Sequence, residues 1–189
     1  MRKKIKKQSI NKLLIMFWNV IRMTLLMLIK GKKAKVSILQ NIHPSTEIAV
    51  ENGLLKLNHS IFTRRNVSFR VVSGELCIGT SFFNQGCCLT AMKEIEIGND
   101  CLFGPNVVIV DHDHDFSYTD NRRGNHFKSS PIKIGNNVWV GANSTILRGS
   151  ILGDNCVIGA GVTLKGVIPP NSIVKSDKAV EIQTIQGRG

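Results

Sequence analysis

Between residues 134 and 168 an aliphatic side chain falls at every sixth position: Ile134, Val140, Ile146, Leu152, Ile158 and Leu164. Gly135, Gly141, Gly153 and Gly159 directly follow four of them. An α-helix cannot keep such a stripe on one face, because six steps of about 100° drift by roughly a third of a turn. A meander of hairpins would alternate with period two and hold no six-residue phase. A chain that turns a corner every six residues does hold it. The period therefore predicts an all-β parallel helix of hexapeptide repeats, with short strands as walls and glycines and asparagines at the corners.

The phasing is looser upstream. Ile42, Ile48, Leu54, Val72 and Ile78 share one six-residue phase, with Ser60 and Asn66 filling its gaps. A second phase begins at Ile97, Phe103 and Ile109, so the slip between them requires insertions near residues 84–96. The reading divides the chain into an arm (1–35), a β-helix domain (36–175) with an excursion at 111–133, and a tail (176–189). His43 and His59 read as surface or corner residues.

Charge is distributed unevenly. Residues 1–35 hold eleven of the 25 Lys/Arg and no acid, while the remaining fourteen face all thirteen Asp/Glu. The body is thus nearly neutral, unlike a nucleic-acid-binding face with its basic stripe. The arm itself is apolar between basic flanks. Ile10–Ile29 is long enough to span a bilayer, but Lys12, Asn19 and Arg22 interrupt it. On a helix, Gln8, Asn11, Lys12, Asn19, Arg22 and Lys30 gather into one polar stripe. That pattern predicts a basic amphipathic helix, lying at an anionic membrane surface or packed against neighbouring subunits. No small-residue cleavage site follows it, which argues against a signal peptide.

Five cysteines occur with no C-x-x-C pair, which disfavours a disulfide framework or a zinc knuckle. Cys101 and Cys156 sit at equivalent places in IGNDC and LGDNC and read as small buried hydrophobes of a reducing, cytoplasmic chain.

At 111–133 the period stops, and DHDHDFSYTDNRRGNHFKSSP intervenes. A long aperiodic segment inside a regular coil is commonly functional. This one holds His112, His114 and His126, together with Asp111, Asp113, Asp115, Asp120, Arg122 and Arg123. Three readings stand side by side. A histidine is a general base, suited by its pKa to take a proton from a hydroxyl near neutrality. Alternatively, His112 and His114 chelate a metal with His126 or an aspartate. Or the run is a solvated turn.

Residues 76–170 resemble the left-handed β-helix (hexapeptide-repeat) acetyltransferases. The similarity is to the galactoside/maltose O-acetyltransferases and the polysaccharide O-acetyltransferases. It rests on FFNQGC, IEIGNDCLFGPNVVIVDHDH, SSPIKIGNNVWVGANSTIL, IGAGVTL and VIPPNSIV, in that order. The resemblance implies a left-handed coil, a homotrimer and acetyl-CoA bound between subunits, with no metal. It implies a catalytic histidine at the eighth residue after Asn106, which is His114, with His112 as its rival. Asn84 matches an asparagine near the acceptor hydroxyl, with Asp111 and Asp113 beside that acceptor site. Trp139, Gly141, Ala142 and Ala160 match positions that line the donor site, and Lys165 lies one residue from a basic position that meets the CoA 3′-phosphate. Ordinary structural explanations exist for several: Trp139 as corner bulk, Ala142 and Ala160 as small residues of a tight coil, Lys165 as a solvated lysine. The continuation KSDKAVEIQTIQGRG lacks the family's G-x-P-A turn.

The implied function is acetyl transfer to a sugar hydroxyl in cell-surface polysaccharide synthesis, in the cytoplasm or on the inner face of the plasma membrane. The alternatives are an amino-sugar-nucleotide N-acetyltransferase, a γ-type carbonic anhydrase-like metal enzyme, and a non-catalytic β-helix scaffold.

Overall fold

The computed structural model describes residues 2–115, 117 and 126–176, with side chains from residue 13 onward. Helix α1 (Arg2–Lys30) and a 3-10 turn (Gly31–Lys33) precede the first strand, Ala34–Val36. The arm boundary read at residue 35 therefore falls inside that strand. From there the chain winds through three parallel sheets, which form the walls of a left-handed β-helix. The first wall has seven strands, from Ala34–Val36 to Val167–Ile168; the second and third have six each. Each coil runs first wall, second wall, third wall, as in Leu54–Leu57, Phe62–Thr63 and Ser68–Val71.

Coil length explains why only the C-terminal half counts cleanly by six. Ile134 pairs with Leu152 and Thr145 with Thr163, both eighteen residues on. Upstream, Leu55 pairs with Leu76 at twenty-one residues, and Leu76 with Ile95 at nineteen. A count by six slides off these longer coils. Ile42 and Ile78 are buried as that count requires, but Ile48, Leu54 and Val72 are only partly buried. The column facing inward runs instead through Leu55, Leu57, Ile61, Val67, Phe69 and Val71. Phe83 stacks on Phe103 with ring centroids 4.6 Å apart and meets Phe69 edge-on, so the early coils are filled by aromatics.

Corners are made by residues that tolerate a left-handed backbone. Asn66, Asn106 and Asn143 hold φ near +57° between the second and third walls. Asp100, Asn137, Asn155 and Asn171 do the same between the first and second, at the corners where asparagine's short polar side chain is best tolerated. The asparagines also bond along the coil axis. Asn137 donates to Asn155 (2.9 Å) and Asn155 to Asn171 (3.0 Å). Coil spacing leaves no room at some of these corners. A Cβ on Gly141 would lie 2.5 Å from the Ala160 nitrogen, which is backbone and cannot move aside alone.

α1 crosses the N-terminal end of the coil. Met23 is fully buried there. Asn19 is buried too, and its Nδ2 donates to the carbonyls of Ile42 (2.9 Å) and Gln40 (3.4 Å). The Arg22 guanidinium donates to the Thr46 carbonyl. The polar stripe read from the sequence is therefore real at Asn19 and Arg22, but it faces the coil of the same chain. Gln8, Asn11 and Lys12 lie outside the described side chains.

Cys87, Cys101 and Cys156 are buried, Cys77 and Cys88 partly so, and all five are free thiols. Burial pushes the Cys87 thiol up to about 11.

Candidate active site

The excursion starts at Asp111, after the third-wall strand Val108–Val110. Three corners between the third and first walls use Gly74, Gly149 and Gly166 with positive φ, while the corner at 51–53 has no such residue. At Met92–Lys93 no left-handed residue closes the corner. Asp111, one coil further on, takes over that task. Its carboxylate is fully buried and accepts the amides of Met92 (2.8 Å), Lys93 (2.7 Å) and Glu94 (2.8 Å). The same group lies 3.1 Å from His112 Nδ1. Asp111 was expected beside the acceptor. Its oxygens are enclosed and engaged with backbone, so it holds the corner and orients His112 instead.

Beyond Asp111 the chain leaves the coil as an antiparallel hairpin, His112–His114 against Phe127–Ser129. Ile132–Ile134 already belongs to the first wall, so the excursion proper ends at residue 131. The Phe127 ring lies against both histidines, edge-on to His112 (5.6 Å) and tilted over His114 (4.6 Å). The two rings are placed differently. His112 has a side chain 18% exposed and a carboxylate partner, whereas His114 is exposed.

Ion pairs brace the hairpin. Arg148 Nε donates to Asp113 at 2.5 Å, so Asp113 ties the hairpin to the coil above. Asp115 accepts from the Ser117 hydroxyl (2.7 Å) and from Lys128 (2.9 Å). The Ser117 hydroxyl first, and Lys128 after it, hold the Asp115 carboxyl down at about 2. The His126 carbonyl accepts the Asp115 amide at 2.8 Å. Asp120, Arg122 and Arg123 lie outside the described residues. Among the described residues, no three His, Cys, Asp or Glu side chains group as metal ligands.

The other predicted residues gather on a different corner, between the second and third walls. Asn84, Gly104, Pro105, Trp139, Gly141, Ala142 and Ala160 line a cleft of about 440 Å³. Gly104–Pro105, Gly141–Ala142 and Gly159–Ala160 stack there, one pair per coil. Among the described residues, the amides of Ala142 and Ala160 donate to no backbone carbonyl, unlike Gly141, which donates to Ile158 (2.7 Å). Two backbone donors are thus left facing an open corner. Trp139 is 55% exposed and pairs across the wall with Leu102, which pairs with Phe82. It projects from the second wall above an adjoining apolar cleft. The Asn84 carboxamide accepts the Gln85 amide at 2.9 Å.

Lys165 is exposed and follows the third-wall strand Thr163–Leu164. It stands at the corner of the hairpin, a wall away from Ala142 and Ala160. Sequence reasoning did not find Phe127, Arg148, Lys128, Phe82 or Leu102. The alignment of Phe82, Leu102 and Trp139 is hidden because they are twenty and then thirty-seven residues apart.

Fold and corners define the class: this is a parallel β-helix with a corner cleft lined by backbone donors and a histidine-bearing hairpin. Residues 131–166 match the family described as bacterial transferase hexapeptide (six repeats). The resemblance read from the sequence holds in comparison with individual proteins. The galactoside O-acetyltransferase of Escherichia coli K12 is 35% identical over 112 residues, 59% of this chain and 55% of that protein. WbbJ of the same organism, named for lipopolysaccharide biosynthesis O-acetyl transfer, is 33% identical over 94 residues, 46% of this chain and 48% of its own. The chain spans about half the length of the curated relatives it matches. In fold, it is similar to AntD, an N-acyltransferase of Bacillus cereus, with a TM-score of 0.62 at 17% identity over 88% of this chain and 89% of that one.

Proposed function

We propose that this chain is an acetyl-CoA-dependent O-acetyltransferase that acetylates a sugar hydroxyl of a cell-surface polysaccharide and works as a homotrimer. The observation that carries the reading is the pairing of unlike halves. One corner offers free backbone amides at Ala142 and Ala160 in an apolar cleft. The next corner offers an exposed histidine on a braced hairpin. The named activities of the galactoside and lipopolysaccharide relatives support the sugar acceptor. Five free thiols fit a reducing cytoplasm.

The cleft fits a thioester donor, because its amides can hold a carbonyl and its apolar walls can exclude water. In the reaction, His114 takes the proton of the sugar hydroxyl as that oxygen bonds to the thioester carbon. The Ala142 amide stabilises the negative charge that develops on the carbonyl oxygen. The carbon–sulfur bond then breaks, and His114 returns its proton to the departing thiolate. No covalent enzyme intermediate is required, since holding both reactants together supplies the main acceleration. Asp111 and His112 hold the strand, and Phe127 backs the His114 ring.

A second reading makes His112 the base, favoured by its 3.1 Å bond to Asp111, which orients the ring. Thiol release from acetyl-CoA over a sugar panel tests both readings. His114→Ala is expected to lower turnover by roughly 10²–10⁴-fold. Full activity in His114→Ala with loss in His112→Ala selects the second reading. Full activity in both removes the hairpin from the chemistry. Absence of acetyl-CoA binding by calorimetry favours the scaffold alternative.

A further inference from the structure

α1 carries its apolar residues outward. Leu14, Phe17, Trp18, Ile21, Leu25 and Leu28 lie on one helical face, and all are exposed, Phe17 at 68% and Leu28 at 75%. The opposite face is fixed to the coil end by Asn19, Arg22 and Met23. This inverts the usual arrangement of a surface helix, whose apolar stripe packs inward.

We propose that this outward face lies in the plane of an anionic lipid bilayer, with the β-helix standing on it end-on. Charge complementarity selects the occupant. No acid occurs before Glu47, and Lys30, Lys32, Lys33 and Lys35 flank the C-terminal end of the apolar face. Arg2, Lys3, Lys4, Lys6 and Lys7 precede its other end in the sequence. Anionic headgroups meet both flanks while the acyl region takes the aromatic and aliphatic residues. A second copy would instead bring two arms of eleven cations each face to face.

The helix from Leu13 to Lys33 is long and apolar enough to cross a membrane. Crossing would pull Asn19 and Arg22 off the Ile42 and Thr46 carbonyls and into hydrocarbon, where an arginine is strongly disfavoured. Lying flat keeps both bonds. It also sets the hairpin three strands above Glu47–Val50 in the third wall, roughly 14 Å at about 4.8 Å per strand.

The test is flotation of the full chain with vesicles of phosphatidylcholine alone or mixed with phosphatidylglycerol. Binding is expected to the anionic vesicles and to weaken at high salt. Lys30→Gln with Lys32→Gln is expected to weaken it roughly 25-fold, from about 1 kcal/mol per basic residue near the surface. Phe17→Ser, Trp18→Ser and Leu25→Ser together are expected to abolish it. Equal denaturation midpoints for that triple variant and the wild type show that it folds. In a Trp139→Phe background, Trp18 fluorescence is expected to be quenched by shallow, not deep, brominated lipids. Absence of flotation with anionic vesicles overturns the proposal. So does undiminished flotation of the triple variant, or deep quenching, which indicates a span. A lipid-free oligomer that the triple variant reduces in size assigns the face to a second copy and also overturns it. Every readout is independent of transfer activity, so failure here is distinct from failure of the O-acetyltransferase reading.

Discussion

Replacing Asp111 tests how the hairpin is attached. Its carboxylate accepts three backbone amides at 2.7–2.8 Å, one from each of Met92, Lys93 and Glu94. Hydrogen bonds to a charged group contribute about 1.5–3 kcal/mol each. Their simple sum is a ceiling, because a corner freed of its anchor can open and admit water. Asp111→Ala is therefore expected to destabilise the chain by about 3–5 kcal/mol, since each buried amide left without an acceptor costs about 1–3 kcal/mol. Asp111→Asn is milder. Its single carbonyl oxygen can keep Lys93 and Glu94, which share one carboxylate oxygen. Its NH₂ then faces the Met92 amide, donor against donor, and about 2 kcal/mol is lost. Asp113→Ala is the control. It breaks a partly exposed ion pair with Arg148, and such pairs contribute about 0.2–1 kcal/mol. Urea denaturation at fixed protein concentration orders the three. An Asp111→Ala chain within 1 kcal/mol of the wild type would refute the anchoring role.

Other outcomes follow from the same geometry. Gly141→Ala drives a Cβ to 2.5 Å from the Ala160 nitrogen. It is expected to destabilise the coil by about 1–3 kcal/mol or more and to raise KM for acetyl-CoA, measured by denaturation and thiol release. Native protein treated with a maleimide at neutral pH is expected to label at Cys77 and Cys88 only. Cys87 is held protonated near 11, and Cys101 and Cys156 are buried; mass spectrometry after proteolysis reads the sites. Asp115 has a folded pKa of about 2 against an ordinary 3.8. Its contribution to the hairpin is thus complete above about pH 4 and lost as pH falls through about 2. Hydrogen exchange at Phe127–Ser129 is expected to rise over that window, and Asp115→Asn to remove the dependence.

The coils from Ile134 to Leu164 were legible because each is eighteen residues long and each corner keeps its glycine or asparagine. Upstream coils of nineteen to twenty-one residues turn through the same walls but defeat a fixed count. The hairpin was visible only as an interruption. Its register depends on Phe127, which lies fifteen residues after His112 and has no periodic neighbour. The anchoring role of Asp111 was not legible because its partners, Met92 to Glu94, are one coil away. Nothing local in DHDH distinguishes a carboxylate that holds backbone from one that meets substrate. The polar stripe of α1 was legible, but its direction was not. An isolated helix would turn Asn19 and Arg22 to water. Here the coil end presents the carbonyls of Gln40, Ile42 and Thr46, which require donors once covered.

The distance between the two corners decides how the site is completed. The cleft closes around Pro105 and Ala142, and the hairpin departs at Asp111. Between them runs the third-wall strand Val108–Val110. Six residues from Pro105 to Asp111, at about 3.3 Å each, set the corners on the order of 15–20 Å apart. A base must come within about 3 Å of the proton it takes. In the proposed reaction, His114 is therefore too far from an acceptor seated at the Ala142 amide of its own chain. In the proposed homotrimer, a neighbouring copy turns its hairpin corner to this cleft, and the same contact repeated by rotation closes the ring. Mixing His114→Ala chains with chains altered at Gly141 is the direct check. At acetyl-CoA well below the raised KM of the Gly141 variant, each variant alone is expected to transfer slowly, while a mixed ring contains one interface with His114 and Gly141 both intact and recovers part of the activity.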